Sequence, residues 1–472
     1  MPGHKLGSGI PEEFLSEIEK MDLTEIPGLD DLHNPSGVLS EAQRLAAEAF
    51  GAKSSYFLVN GSTVGLHAAI SAVCRPGQRL IAGRDSHSSV INGMLLAGVR
   101  PYYIIPEYSN TFGICTGVTS REVERALVEA PDAEGVLITR PNYYGVCCDI
   151  EEIAKIVHSK NKILIVDEAH GPHLIFNKRL PVCALEAGAD ICIQSAHKTL
   201  PAFTQGAYLH TGTDRVNIER LEYFLDMYQT TSPSYVIMAF LDIARAIMQN
   251  RGKQLLDRLL DLLEAHRSNF GAGGLLLDKA AVPGFELDTT RLTINTGMLG
   301  ITGYEAERIL RRKYNIQVEM SDASNVVCIC TTADSPERVE KLFSALEQLR
   351  QAADRLCGEA VNNHLKQENI IAGFGSRLHD CMRNMHADMG NNGCDLEPLE
   401  ILNAEAERIR LENAAGRISK GIIAPYPPGI PLVCPGEIIS CDAVDLLTGV
   451  NDAGGRAHGV SSDGTVIVIR KL

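Results

Sequence analysis

The sequence predicts an α/β protein whose core is a mainly parallel sheet covered by helices on both faces. Short apolar runs recur between residues 40 and 270 and alternate with helical stretches; the runs are 56–59, 79–82, 101–105, 135–139, 162–166 and 190–194. They lack the polar alternation of a half-exposed strand, which is typical of strands buried on both faces. With 472 residues, 45% of them hydrophobic, the chain can bury such a core.

Changes in composition predict four consecutive parts. Residues 1–35, rich in Gly, Pro and acidic residues, form an N-terminal arm, and residues 36–270 form the large domain that contains the parallel sheet. A leucine-rich amphipathic helix near 250–265, followed by the glycine-rich stretch 271–274, indicates the next boundary. Residues 271–360 then form a smaller α+β domain with strands at 291–295 and 326–330, and residues 361–472 form a C-terminal α+β domain with a helical start and a β-like tail at 465–469.

Charge and composition exclude several classes of function. The chain has 44 Lys plus Arg against 59 Asp plus Glu, a formal net charge of -15, which argues against binding to nucleic acid or to an anionic membrane surface. It contains no apolar stretch of membrane-spanning length and no apolar signal-peptide core, so we expect a cytoplasmic location. The cysteines offer no C-x-x-C zinc spacing, and we expect no metal.

Polar clusters follow two of the predicted strands. Strand 162–166 is followed by Asp167 and Glu168, and strand 190–194 by Ser195, Ala196, His197 and Lys198. The carboxyl ends of parallel strands share one edge, so we expect Asp167 and Lys198 to face the same crevice. A carboxylate and an amine suit a cofactor with a basic ring nitrogen and an aldehyde, because the acid keeps the ring protonated while the amine forms a Schiff base.

A third cluster has the features of a phosphate site. Strand 56–59 runs into Asn60, Gly61, Ser62 and Thr63 at the start of a helix. Such a start binds phosphate through backbone N–H groups, the helix dipole and hydroxyl donors. Each cluster has a structural explanation by itself, but a phosphate turn, an acid and a lysine at successive strand ends of one sheet form a much more specific combination.

These motifs resemble those of the Orn/Lys/Arg decarboxylases, which are pyridoxal-phosphate (PLP) enzymes of fold type I, the aspartate-aminotransferase fold. The similarity is to the shorter bacterial form without an N-terminal wing domain. It extends over nearly the whole chain, and the matching segments are 1–5, 30–35, 60–63, 167–171, 195–200, 204–205, 230–235 and 425–429. The Ser-x-His-Lys element at 195–198 and the Tyr-Pro-Pro-Gly element at 426–429 are its most specific parts.

The resemblance implies a role for each matching residue. Lys198 would hold PLP covalently, Asp167 would pair with the pyridinium nitrogen, and His87 would stack on the ring. The residues implied in phosphate binding are Ser62, Thr63, Ser195 and His197, joined by Thr231 and Ser232 from a partner subunit. Gly61, Ala169 and His170 complete the implied cofactor site. The resemblance therefore implies a homodimer or an assembly of dimers with shared active sites.

The implied activity is the α-decarboxylation of a basic amino acid, with arginine to agmatine first and lysine or ornithine next, feeding polyamine synthesis. The distal cation of such a substrate should meet a carboxylate, and the candidates are Glu437 and, more weakly, Asp31 with its neighbour Asp30. A solvated loop acid is the alternative for each. His197 and Lys198 are candidates to reprotonate Cα. The pair Lys420 and Gly421 departs from the family pattern, which has a small residue and then an acid there.

Other interpretations use the same residues. Another PLP reaction on this fold, such as transamination or aldol cleavage, and a non-catalytic regulatory homologue both stay open. Residues 167–170 spell a helicase-like Asp-Glu-Ala-His box, but the sequence contains no G-x-x-x-x-G-K-[ST] loop. His170, His173 and His197 with Asp167 could instead form a metal site, which would leave Lys198 without a role.

Overall fold

The computed structural model describes residues 1–270, 274–357, 376–377, 379–384, 396–427 and 429–470. The first part of the predicted C-terminal domain, residues 361–375, and most of the glycine-rich stretch 271–274 lie outside the described residues, whereas residues 376–377 and 379–384 are helical. No helix in the described part of the chain is long and apolar enough to cross a membrane.

Helices occur in all parts of the chain. In chain order they are α1 (Glu12–Leu15), α2 (Ile18–Met21), α3 (Val38–Phe50), α4 (Gly61–Val73), α5 (Ser88–Leu96), α6 (Ser120–Glu129), α7 (Ile150–Ser159), α8 (Ala196–Thr199), α9 (Ile218–Tyr228), α10 (Tyr235–Phe270), α11 (Gly303–Tyr314), α12 (Pro336–Cys357), α13 (Pro398–Asn403) and α14 (Cys441–Asp452). Short 3₁₀ turns are Leu174–Phe176, Lys279–Ala281, Gly297–Leu299 and Leu411–Asn413.

The strands are β1 (Ser54–Leu58), β2 (Arg79–Gly83), β3 (Arg100–Ile104), β4 (Glu107–Ser109), β5 (Ile114–Gly117), β6 (Ala133–Thr139), β7 (Val146–Cys147), β8 (Ile163–Asp167), β9 (Ile191–Gln194), β10 (Ala207–Thr211), β11 (Glu286–Leu287), β12 (Arg291–Asn295), β13 (Met320–Ser321), β14 (Asn325–Ile329), β15 (Ala406–Arg410), β16 (Ala424–Tyr426), β17 (Arg456–His458) and β18 (Thr465–Ile469).

The central sheet has seven strands in the order β1-β10-β9-β8-β6-β2-β3. Neighbouring strands from β9 to β3 are parallel, whereas β10 is antiparallel to both β9 and β1. Two successive reversals leave β1 pointing the same way as β9, so the carboxyl end of β1 lies at the same edge as the other parallel strands. The mainly parallel sheet is confirmed, and the antiparallel strand β10 is an addition that the apolar runs did not reveal.

Consecutive side chains of the inner strands pack into opposite helix layers. On β6, Val136 and Ile138 join the core formed with α3, α6, α7 and α10, while Leu137 joins the core formed with α4, α5 and α9. Alternate residues of a strand point to opposite faces, so a strand between two apolar layers needs apolar residues at every position. This requirement explains the continuous apolar runs in the sequence.

Smaller cores also lie beyond the central sheet. The antiparallel sheet β12-β14-β13 packs with α11, α12 and the end of α10, and the strand pairs β15-β18 and β16-β17 accompany α14. Helix α10 runs for 36 residues, contributing Met238 and Leu256 to the central core and Leu259 and Leu263 to the small sheet. One helix therefore contributes to two cores.

The N-terminal arm is attached to the central sheet region by Asp30. This buried carboxylate accepts N–H bonds from Gly37 at 2.8 Å, Leu39 at 2.9 Å and Ser40 at 3.3 Å, around the start of α3. Burial raises the Asp30 pKa, but the N–H bonds, led by that of Ser36, outweigh it and lower the pKa overall. Asp30 thus acts as a remote cap for α3.

We expect Asp30→Ala to lower the free energy of unfolding by about 2 kcal/mol, because it leaves several N–H groups at the start of α3 without an acceptor. Urea unfolding followed by circular dichroism measures this change. The matched control is Asp31→Ala: Asp31 is exposed, its carboxylate accepts one N–H bond from His33, and its loss should leave the midpoint nearly unchanged. Equal destabilisation by the two variants would contradict the capping role.

Candidate active site

A buried carboxyl group and a partly buried amine lie at the ends of adjacent parallel strands. Asp167 is the last residue of β8, and Lys198 lies in α8, which begins directly after Ser195 at the end of β9. Asp167 accepts an N–H bond from Ala169 at 3.2 Å, and Lys198 Nζ lies 3.1 Å from His170 Nε2. The fold therefore places Asp167 and Lys198 at the same edge of the sheet, as the sequence predicts.

Burial dominates the protonation of both groups. Burial lowers the pKa of Lys198 to about 8; the Asp167 and Glu319 carboxylates oppose this shift, and the Arg291 guanidinium adds to it. Burial also raises the pKa of Asp167, against the effect of the Lys198 charge. The amine therefore exists as its nucleophilic free base at a pH much lower than a solvent-exposed lysine allows.

His87 is a partly buried imidazole held by the start of helix α5. As the N-cap residue, its Nδ1 accepts the N–H bond of Ser89 at 3.1 Å and also lies 2.7 Å from Ser89 Oγ. Burial, followed by the charges of Lys198 and His458, lowers the His87 pKa to about 4. His87 is therefore neutral at neutral pH and has a fixed ring orientation close to Lys198.

The phosphate turn has the geometry of an open helix start. Gly61 adopts a left-handed φ of 79° at the first position of α4, and the side chain of Asn60 does not cap this helix. The Asn60 side chain instead accepts the N–H bond of Thr230 at 3.1 Å. Ser195 Oγ donates to Ser62 Oγ at 2.8 Å, which brings the predicted turn next to the end of β9. Free N–H groups and two hydroxyls at a helix N-terminus suit a phosphate.

The remaining predicted phosphate residues differ in exposure. His197 is partly buried, its Nδ1 lies 3.1 Å from the Gly206 carbonyl, and burial lowers its pKa. Thr63 is exposed on the first turn of α4. Thr231 and Ser232 are also exposed, in the loop between α9 and α10, where neighbouring Thr230 is the residue that contacts Asn60.

Several buried polar atoms around Asp167 lack a hydrogen-bond partner within the described part of the chain. They are Ser86 Oγ, Thr139 Oγ1 and the Tyr143 hydroxyl. Thr139 lies opposite Asp167 in the pairing of β6 with β8, and the Asp167 charge contributes to raising the pKa of Tyr143. Ser86 directly precedes His87 in the sequence. Unsatisfied buried polar atoms are costly in a finished core. Together with the partly buried amine and the open helix start, they fit a polar aromatic aldehyde with a phosphate group.

The structure adds residues that sequence reasoning missed. Arg291, at the start of β12, donates from Nη2 to His170 Nδ1 at 2.9 Å, and the side chain of Glu319 lies close enough to affect the pKa of Lys198. Asp85 is a buried carboxyl beside the same region, and burial raises its pKa to about 6. Arg291 and Glu319 come from the small sheet region, so no local sequence pattern links them to Lys198.

The two acids predicted to meet a substrate cation have other partners in this chain. Glu437 Oε2 forms a buried ion pair with Arg84 at 2.9 Å and accepts the N–H bond of Cys434. Glu437 therefore acts as a structural anchor whose charge Arg84 compensates, and its contact with a substrate cation stays a prediction. Asp31 is exposed and accepts the N–H bond of His33 in a surface turn, and its contact with the substrate likewise stays a prediction.

The unusual pair Lys420 and Gly421 lies in the C-terminal region. The Lys420 ammonium donates to the carbonyl of Ala404, and the Gly421 carbonyl accepts a hydrogen bond from Ser419 at 2.7 Å. Both residues therefore take part in contacts within that region.

The proposed histidine metal site is not formed. His170 contacts Lys198 and Arg291, whereas His173 pairs with Asp288 at 3.2 Å. In the described ranges, no group of three or more His, Cys, Asp or Glu side chains is arranged to hold a metal ion.

Comparison with protein families identifies two matching segments. Residues 1–280 match the model described as "Orn/Lys/Arg decarboxylase, major domain", and residues 397–463 match "Orn/Lys/Arg decarboxylase, C-terminal domain". Together these matches include the arm, the central sheet and the region of Glu437.

Curated proteins show the same similarity over the full chain. The chain is 36% identical to "Arginine decarboxylase" of Bacillus subtilis (strain 168), with 100% of this chain and 94% of that protein covered. It is 25% identical to "Inducible lysine decarboxylase" of Escherichia coli (strain K12), with 94% of this chain and 73% of that protein covered.

Solved structures confirm the fold class. The lysine decarboxylase LdcF of Francisella novicida matches with a TM-score of 0.77 at 21% identity, over 100% of this chain and 78% of that one. The alanine–glyoxylate aminotransferase of Nostoc sp. matches with a TM-score of 0.55 at 17% identity, over 71% of this chain and 92% of that one. The chain therefore has the fold-type I architecture, with its large domain built on a mainly parallel sheet.

We expect Glu437→Gln to lower the free energy of unfolding by about 3 kcal/mol, because it leaves the buried Arg84 guanidinium without its compensating charge. Chemical unfolding measures the change. Glu397→Gln is the matched control, because Glu397 forms an exposed ion pair with Arg100. The unfolding midpoint of this variant should be nearly the same as that of the unmodified chain. If Glu437→Gln is as stable as the unmodified chain, Glu437 is not the anchor described here.

Proposed function

The chain belongs to the Orn/Lys/Arg decarboxylase family, and on this premise we propose that it is a PLP-dependent α-decarboxylase that converts arginine to agmatine. The observation that carries the proposal is the partly buried Lys198 amine close to buried Asp167 at the ends of adjacent strands. Arginine is preferred because similarity to the arginine decarboxylase of Bacillus subtilis, at 36% identity, exceeds the 25% to the lysine decarboxylase of Escherichia coli. Lysine and ornithine are the next candidates.

The residues around Lys198 fit PLP. Lys198 would hold the cofactor covalently, Asp167 would pair with its ring nitrogen and His87 would pack against its ring. The helix start at Gly61, Ser62 and Thr63, with Ser195 and His197, would hold the phosphate, while Ala169 and His170 would border the ring. When bound, PLP supplies an electron sink for the pair left at Cα as carbon dioxide departs.

Each residue contributes a defined electrostatic or steric effect. The free base of Lys198 is the nucleophile that a carbonyl requires, and burial keeps it accessible near neutral pH. Burial destabilises the anionic form of Asp167 and raises its pKa. A cationic ring nitrogen would give this anion a compensating partner. The neutral ring of His87 is held by Ser89 and can orient a flat ligand without adding charge.

Proton return to Cα requires an acid in the same crevice. Lys198 and His197 are the two candidates. Lys198 Nζ lies 3.1 Å from His170 Nε2, and His197 Nδ1 lies 3.1 Å from the Gly206 carbonyl. Both groups have lowered pKa values, which makes proton release by either group easier than from its solvent-exposed form.

The assembly, location and pathway belong to the same proposal. We propose a homodimer or an assembly of dimers, in which exposed Thr231 and Ser232 reach the phosphate site of the partner. A cytoplasmic location and a role in polyamine synthesis complete it, with no nucleic-acid or membrane partner. Transamination, aldol cleavage and a non-catalytic regulatory role are the competing outcomes of the first assay.

We expect the purified, PLP-loaded protein to release carbon dioxide and agmatine from arginine at a rate at least tenfold above its rates with lysine and ornithine. Carbon dioxide trapping with identification of the amine by mass spectrometry measures this preference. A keto acid as product would indicate transamination instead. Binding of PLP without turnover of any of the three amino acids would favour the regulatory alternative.

We expect Lys198→Ala to abolish covalent PLP attachment and to reduce turnover by more than a thousandfold, because the nucleophilic amine is removed. Borohydride reduction followed by peptide mass spectrometry locates the attached cofactor. The control is Lys155→Ala on the exposed face of α7, which should retain full attachment and activity. Retained steady-state turnover in Lys198→Ala would reject the assignment of the lysine.

A further inference from the structure

We propose that Arg291 is a positioning residue that fixes His170 as the tautomer protonated on Nε2, and that this tautomer stabilises the neutral form of Lys198 by donating its Nε2–H hydrogen bond to the amine. The inference rests on the proposed function of Lys198 as the amine that attaches PLP. It concerns a residue of the small antiparallel sheet that touches neither the reacting amine nor a predicted cofactor contact other than His170.

The first step is the direction of the hydrogen bond between Arg291 and His170. Arg291 is 1% exposed, and its Nη2 lies 2.9 Å from His170 Nδ1. Its other amino group donates to the carbonyls of Tyr143 at 2.9 Å and Asn142 at 3.4 Å, which fixes the plane of the guanidinium. A guanidinium has five N–H donors and no acceptor. His170 Nδ1 must therefore be the acceptor and carries no proton.

The second step is the charge of His170. Burial lowers its pKa well below the usual value, and the positive charges of Lys198 and Arg291 act in the same direction, as do His87 and His197. His170 is therefore neutral. A neutral imidazole has one N–H group, and with Nδ1 acting as the acceptor the proton lies on Nε2.

The third step is the hydrogen bond between His170 and Lys198. His170 Nε2 lies 3.1 Å from Lys198 Nζ. An ammonium at this position would place donors opposite the Nε2–H group, whereas a neutral amine accepts its hydrogen bond through the nitrogen lone pair. The direction of the two hydrogen bonds, from Arg291 to His170 and from His170 to Lys198, therefore favours the free base of Lys198.

Other charged groups oppose or support this effect. Asp167 and Glu319 favour the ammonium form of Lys198, while burial and the Arg291 charge favour the neutral form. Arg291 itself faces Asp288 and Glu319, and Asp288 also pairs with His173 at 3.2 Å and accepts from Thr290 at 2.7 Å. Arg291 therefore keeps its charge in a buried position, and only its Nη2 group is directed to the ring of His170.

The consequence concerns attachment of the cofactor. The amine nitrogen adds to the aldehyde carbon of PLP with loss of one water molecule, and the amine needs its lone pair to do so. The population of neutral Lys198 therefore sets the attachment rate at a given pH. Because Arg291 belongs to the small antiparallel sheet, the population of neutral Lys198 depends on the packing of that sheet next to His170.

The direct test is the protonation of His170 in the ligand-free full chain. Nitrogen-15 NMR of protein labelled at histidine distinguishes the two tautomers, and loss of one signal in His170→Asn assigns the residue. We expect protonated Nε2 and unprotonated Nδ1 in the unmodified chain, and a mixture of tautomers in Arg291→Met. Protonated Nδ1 at His170 in the unmodified chain would overturn the inference even if Arg291→Met does not fold.

A second test measures the pH dependence of covalent PLP attachment by absorbance. We expect Arg291→Met to raise the apparent pKa of the attacking amine by about one unit, which slows attachment about tenfold below that pKa. Arg291→Lys retains a donor and the charge, and its rates should stay within about threefold of the unmodified chain. Circular dichroism checks that the folds match.

The outcomes separate the two proposals. If PLP attaches normally to Lys198→Ala, the proposed function fails. If PLP attaches at Lys198 in Arg291→Met with an unchanged pH profile, the proposed function stands and the inference about Arg291 is rejected.

Discussion

The common direction of the parallel strands is the constraint on which the rest of the structure depends. Strands β1, β2, β6, β8 and β9 all end at one edge of the central sheet, although antiparallel β10 separates β1 from β9. Parallel strands require long connections that cover both faces with helices, so their carboxyl ends carry the turns that leave the sheet. The turn at Gly61, the loop with His87, Asp167 and Lys198 therefore meet without any requirement that they be close in sequence.

Burial then determines the chemistry of the edge. Burial lowers the pKa of Lys198 and raises that of Asp167, so each group gives up its charge more readily than it would in water. A neutral His87 and a neutral His170 border the pair. The site thus combines a reactive amine with an acid that gains from a positive partner, an arrangement that suits a cationic ring and an aldehyde in one ligand.

Two buried arginines connect the other parts of the chain to this edge. Arg84, three residues before His87, pairs with Glu437 and donates to the carbonyls of Pro431 and Leu432, which ties the C-terminal region to the end of β2. Arg291 connects the small antiparallel sheet to His170. In both cases a guanidinium supplies several directed donors, which a lysine ammonium cannot arrange in one plane.

The sequence by itself determined the parallel sheet and the meeting of Asp167, Lys198 and the turn at Gly61, because apolar periodicity and polar strand ends are local signals. The tertiary structure decided the partners of the remaining groups. Arg291 reaches His170 across 121 residues and Arg84 reaches Glu437 across 353, and such distant contacts depend on how separate layers pack. For that reason no pattern in the sequence indicated that Glu437 is the counter-ion of the buried Arg84, which only the packing of the C-terminal region against β2 decides.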